Sequence, residues 1–229
     1  MRTGGKVLLR AIDERLEAFS ASQPGTRKTS AAYHRNKRLL DLGFCVLALP
    51  IALPVLLICA VLVKLSSPGP VLFVQERTGR GGHRFKMMKF RTMVRNAEDL
   101  KDDLEDKNLM GGPDFKLAND PRVTRVGDLL RRTSLDEAPQ LWNILRGDMS
   151  LVGPRPTSFS AATYDLWHTE RLEAVPGLTG LWQVGGRGEI GFDDRVRLDI
   201  AYVRSRSIPL DTMILLRTLP AVLSQRGAY

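Results

Sequence analysis

The chain has 229 residues, with 34 Lys and Arg against 25 Asp and Glu for a net charge of +9. That length suits one domain with a sizeable core and does not demand two. The basic balance suits nucleic acid, anionic lipid or phosphorylated small molecules, but aromatics are only 7% and no stacking motif on a basic sheet occurs, so no nucleic-acid partner is expected. The two cysteines, Cys45 and Cys59, have no CxxC or Cys/His context, and the three histidines are scattered, which argues against zinc, redox or triad chemistry.

In chain order, residues 1–32 form a polar arm that ends in SASQPGTRKTS. Residues 33–65 form a membrane segment, because LGFCVLALPIALPVLLICAVLV gives 22 residues without a charge. A spanning helix needs about 20. Both flanks are basic: Arg27, Lys28, Arg35, Lys37 and Arg38 before it, Lys64, Arg77, Arg80, Arg84, Lys86, Lys89, Arg91 and Arg95 after it. Lys and Arg stay on the cytoplasmic side, and Pro50 and Pro54 each remove a helix hydrogen bond. A proline-broken, re-entrant helix satisfies both facts; an ordinary kinked span remains the alternative.

Residues 66–229 form the cytoplasmic domain, with an α+β fold that is mostly helical with little β-sheet. VLFVQERTGRGGHRFKMMKF reads as a short hairpin. From Ala97, EDLKDDLEDKNLM reads as a solvated helix and GGPDFKLANDPR as a loop. Val123, Val126, Leu129 and Leu130 recur at helical spacing and run into Arg131 and Arg132; a second helix carries Leu141, Ile144 and Leu145. The expected start of that second helix is Asp136 as N-cap, which puts Pro139 in the first turn; the rival is a capping box of Ser134 and Glu137. GDMSLVGPRPTSF and PGLTGLWQVGGRGEIG read as irregular segments. Within the latter, GRGEIG is too poorly flanked for a dinucleotide site. In LDTMILLRTLPAVL, Leu215, Leu219 and Val222 share a face suited to the core or to the membrane interface.

Asp136 and Glu137 stand out in TSLDEAPQLWN. One reading makes them caps that complement a helix dipole. The other sets them at a phosphate site, with Arg131, Arg132 and Arg155 converging and Mg²⁺ between carboxylates and phosphate. There a carboxylate can attack phosphorus and form an acyl-phosphate.

Four stretches carry a family resemblance: KRLLDLG at 37–43, SSPGPVLFVQERTGRGGHRFKMMKFRTM at 66–93, RRTSLDEAPQLWNILRGDMSLVGPRP at 131–156 and PGLTGLWQVGGRG at 176–188. In them the chain resembles the bacterial sugar transferases, monotopic polyprenyl-phosphate phosphoglycosyl transferases that begin exopolysaccharide, O-antigen or capsule synthesis. The resemblance implies transfer of hexose 1-phosphate, glucose or galactose, from a UDP-hexose to undecaprenyl phosphate with release of UMP. It implies Asp136 as nucleophile, Glu137 as its partner at Mg²⁺, Arg131 on phosphate, and Pro154 and Arg155 near the nucleotide. It also implies Pro54 as the helix break, contact with membrane lipids at the cytoplasmic face of the bacterial inner membrane, and leaves room for a homo-oligomer. Small members have Ser before the breaking proline, whereas Leu49 and Leu53 stand there in this chain. A non-catalytic, membrane-anchored scaffold is the alternative.

Overall fold

The computed structural model describes residues 30–108, 115, 117, 119–185 and 191–223. Most of the polar arm and of GRGEIG therefore lies outside the described residues, as do parts of the 109–118 loop. The first element, α1 (Ala31–Ser66), starts at Ser30, whose hydroxyl accepts from Tyr33 N at 3.2 Å. Its 36 residues run as one helical element through Pro50 and Pro54. Among the described residues it is the one helix long and apolar enough to cross a membrane.

Both ends of α1 are bonded to the same body. Near the start, Lys37 pairs with Asp211 at 2.9 Å, and Arg38 donates to the carbonyls of Ile144 and Leu145 at 2.5 and 2.7 Å. Asp41 is buried and accepts from Ser150 Oγ and Leu151 N, both at 3.0 Å. At the other end, Cys59 and Val63 pack with Phe90 and Leu130. Arg91 donates there to Val63 O of the last turn at 3.4 Å, where helix carbonyls lack a partner within the helix, and to Ser67 O at 2.7 Å and Pro68 O at 3.2 Å just past it. Between these anchors, Leu47 and Ile51 stand 81% and 74% exposed.

The body follows. Strands β1 (Leu72–Thr78) and β2 (Arg84–Phe90) form the expected antiparallel hairpin, in register from Leu72↔Phe90 to Thr78↔Arg84. Helix α2 (Arg125–Arg132) is capped by Thr124, which accepts from Gly127 N at 2.9 Å. Next come α3 (Gln140–Arg146), β3 (Ser150–Val152), β4 (Gly177–Thr179), α4 (Leu181–Gly185), α5 (Phe192–Ser205) and α6 (Ile208–Leu223). Strands β3 and β4 pair in parallel, Ser150 with Gly177 and Val152 with Thr179. Around them Ile144, Met149, Leu181, Leu198, Tyr202 and Ile214 form the main core.

Four readings change. The acidic stretch from Ala97 is a series of turns with a 3₁₀ segment at Asp102–Lys107; with no apolar stripe to bury, it gains nothing from tertiary packing. The two Gly/Pro segments contain β3, β4 and α4 and are not wholly irregular. Leu129 is 53% exposed, so α2 buries Leu130 and only partly Val126. On α6 the buried positions are Leu210, Asp211 and Ile214, while Leu219 is 66% exposed and Leu215 only packs at the core's margin.

Helix α2 docks on Thr92 through a glycine: a Cβ at Gly127 would stand 2.0 Å from Thr92 O. Gly127→Ala should therefore destabilise by about 1–3 kcal/mol, the usual cost of overpacking, read as a lowered Tm in detergent micelles. Gly43→Ala, inside α1 where a Cβ meets nothing within 4 Å, should not lower the Tm and should raise it slightly, since Ala is favoured over Gly in a helix interior by about 1 kcal/mol.

Candidate functional site

Asp136 and Glu137 lie in a 3₁₀ turn, Leu135–Glu137, and α3 begins only at Gln140, after Pro139. This corrects the expected Asp136 start. Pro139 has no N–H to return to Leu135 O, and the nearest donor, Ala138 N, reaches that carbonyl at 3.1 Å in 3₁₀ fashion. The rival capping box is absent too, since the Ser134 side chain makes no cap bond. Ser134 instead turns the chain, with φ of 58° in the left-handed region.

The turn separates the two carboxylates. Glu137 Oε1 accepts from Lys89 Nζ at 2.7 Å and from Arg155 Nη2 at 2.6 Å. Burial pushes its carboxyl up, but Arg155 and Lys89 outweigh burial and hold it well below the usual carboxylate range. Asp136 has no hydrogen bond or ion pair among the described residues. Burial raises its carboxyl above the ordinary value; the Glu137 charge adds to that, while Lys89, Arg131 and Arg155 oppose it.

Arg131 reaches the cluster from the end of α2, and its Nε donates to Thr92 Oγ1 at 2.9 Å. Burial lowers its guanidinium, against the pull of Asp136. Arg132 does not converge: it is exposed and pairs with Asp128 one turn back at 2.6 Å, because neighbouring residues on a helix point about 100° apart. Pro154 is buried and its carbonyl accepts from Gly177 N at 2.9 Å, so it shapes the loop that carries Arg155. Pro50 and Pro54 lie within α1.

Sequence reasoning missed three residues of this site. Lys89 was counted only as a basic flank; on β2 it shares a strand face with Met87, which is 4% exposed, and a lysine on a buried face asks for a counter-ion. Arg171 donates to Arg155 O at 2.7 Å and pairs with buried Asp199. Asp199 sits on the buried stripe of α5 with Val196, Ile200 and Val203, the same signal of a charge among apolar positions. Burial lifts Asp199 to about 6, against Arg171 beside it.

For a metal the donors are oxygens. Asp136 is uncommitted, and Glu137 Oε2 meets only Arg155 Nη1, at 3.4 Å. Among the described residues no group of three or more His, Cys, Asp or Glu could hold a metal. Two adjacent carboxylates that need phosphate oxygens and water to complete a shell fit Mg²⁺, which is commonly held that way.

The family model for bacterial sugar transferases matches residues 32–225. The exopolysaccharide production protein ExoY of Sinorhizobium fredii is 41% identical over 199 residues, 85% of this chain and 88% of that protein. The UDP-glucose:undecaprenyl-phosphate glucose-1-phosphate transferase of Caulobacter vibrioides is 42% identical over 221 residues, 90% of this chain and 77% of that protein. The galactosyl transferase CpsE of Streptococcus agalactiae is 43% identical over 200 residues, 84% of this chain. The chain spans 43% of the length of that last relative.

Because Glu137 is depressed in the folded state, its contribution to stability is present above its unfolded pKa, about 4.3, and is lost as pH falls through the folded value. In an Asp136→Asn background, adding Glu137→Gln should flatten the acid side of the stability curve below about pH 4.3. Denaturant midpoints measured from pH 7 downward would show it.

Proposed function

The chain belongs to the bacterial sugar transferase family, and from that premise we propose that it moves a hexose 1-phosphate, glucose or galactose, from a UDP-hexose to undecaprenyl phosphate and releases UMP. The observation that carries this reading is the unequal pair: Glu137 clamped by two cations, Asp136 beside it with none. An ionised carboxylate free of ion pairs can act as a nucleophile, whereas one held by Lys89 and Arg155 cannot leave them without stranding charge.

Asp136 attacks the phosphorus that bears the hexose. An Asp136 O–P bond forms, the bond from that phosphorus to the bridging oxygen breaks, and UMP leaves. A phosphate oxygen of undecaprenyl phosphate then attacks the same phosphorus and displaces Asp136. Arg131, Lys89 and Arg155 surround the carboxylates and offset the negative charge of the arriving phosphates. Mg²⁺, when bound, would be held by Asp136 and Glu137 and would draw charge from the phosphoryl oxygens.

The re-entrant, monotopic placement at the cytoplasmic face of the inner membrane is part of this proposal. It is supported by the anchoring of α1 at both ends to one body, through Arg38 and Asp41 at the start and Arg91 at the end. The exposed apolar middle, interrupted by Pro50 and Pro54, is left for lipid.

Four outcomes are expected. Membranes given labelled UDP-hexose and undecaprenyl phosphate should release UMP; release of UDP would mean transfer of sugar alone. Asp136→Asn should abolish the covalent phosphosugar adduct seen by intact mass and lower kcat by about a thousandfold or more, as loss of a nucleophile does; unchanged turnover, with unchanged polysaccharide synthesis in cells, would favour the scaffold. Since Asp136 must be ionised and its carboxyl is raised, kcat should fall on acidification at a pH above the ordinary aspartate value of about 3.9. For topology, Ser30→Cys and Pro70→Cys should be labelled by an impermeant reagent from the same side of the membrane; opposite sides would mean a full span.

A further inference from the structure

Beside the carboxylate pair is a recess that the transfer reading leaves unassigned. Its volume is about 90 Å³, and its walls include Arg77, Arg155, Arg171, Trp182, Phe192 and Arg195. Whole-ligand pockets run to about 300–1,000 Å³, so this recess takes one end of a ligand.

Its chemistry is that of an anion joined to a flat ring. Four of its eleven lining residues are arginines, the side chain suited to bidentate contact with phosphate. The Arg195 guanidinium lies over the Trp182 ring, 5.3 Å from its centre, and 6.0 Å from that of Phe192. Aromatic faces and guanidinium planes are the surfaces on which bases stack. Two buried donors on wall residues, Arg171 Nε and Trp182 Nε1, have no hydrogen-bond partner among the described residues. Arg171 and Trp182 are 5% and 8% exposed, and donors this buried are rarely left unpaired.

Arg155 joins this recess to the carboxylates, since it lines the one and bonds Glu137 of the other at 2.6 Å. A ligand seated in the recess would have its phosphate beside Glu137 and Asp136. We propose that the recess seats the nucleoside 5′-phosphate end of the donor, with the phosphate toward Arg155 and Arg171 and the base toward Trp182, Phe192 and Arg195. This rests on the transfer reading for the identity of the donor. It adds Arg77, Trp182, Phe192 and Arg195 as binding residues, and it makes the recess the place the UMP leaves from.

UMP is the probe, titrated by calorimetry into the full chain in lipid nanodiscs, with no acceptor and no turnover. UMP should bind, and uridine and inorganic phosphate should each bind at least tenfold more weakly. Arg77→Gln and Arg195→Gln should each weaken UMP about tenfold, and Trp182→Phe should weaken it while thermal unfolding reports a folded protein. The partly exposed arginines carry the test if the tryptophan variant fails to fold. UMP affinity within twofold of the parent in the Arg77→Gln, Arg195→Gln double variant would overturn the assignment. So would competitive displacement of UMP by undecaprenyl phosphate, which would give the recess to the acceptor. Because binding is read without reaction, a failure to release UMP from UDP-hexose would sink the transfer reading and leave this result standing.

Discussion

The Glu137 carboxylate, held between Lys89 and Arg155, is the interaction on which the rest of the site depends. Its partners come from β2 and from the loop after β3, so one acidic side chain ties the hairpin to the parallel pair. A partly buried carboxylate without partners carries a desolvation cost of several kcal/mol, and removing one partner of such a group is strongly destabilising. The charges do not cancel. Arg131, Lys89 and Arg155 set three positive charges against the two of Asp136 and Glu137, which leaves a surplus suited to an incoming phosphate.

Backbone geometry turns two adjacent acids into two different groups. A 3₁₀ turn rotates the chain about 120° per residue, so Glu137 can face Lys89 and Arg155 while Asp136 does not. Ser134 in the left-handed region opens the turn and Pro139 closes it. Both acids in the first turn of an α-helix would have been neutralised by backbone N–H groups and the dipole; here Asp136 keeps its basicity. Burial and the Glu137 charge raise the Asp136 carboxyl, while Arg155 and Lys89, bonded to Glu137, depress the one beside it.

The hairpin and the presence of α2 and α3 were legible because seven-residue strands and helical turns repeat often enough to show a period, although Leu129 of the expected α2 face stands exposed. The parallel pair was not. β3 and β4 have three residues each and are separated by 24 residues, and three residues cannot establish an alternation. The glycines there mark what periodicity cannot: a Cβ at Gly177 would stand 2.0 Å from Gly153 N, so PGLTG and VGPRP had to be glycine-bearing for the strands to meet. The acids of the site were legible as an odd local pair, and its cations less so. Arg131 and Arg155 were read from their neighbourhood, Arg132 was wrongly included, and Lys89 was missed because its partner lies 48 residues away.

The long apolar helix α1 and the site are one unit. Asp41 joins α1 to β3 through Ser150 and Leu151, and the chain leaves β3 for Pro154 and Arg155 within three residues. At its other end α1 packs on Phe90 and Leu130, the residues next to Lys89 and Arg131 in the chain. These two contacts of α1 therefore lie one to five residues from a cation of the site. A bilayer that fixes the depth of Leu47 and Ile51 fixes the height of those cations too. Under the proposed transfer, that coupling would bring a water-soluble nucleotide sugar and a lipid-borne phosphate to the same carboxylate.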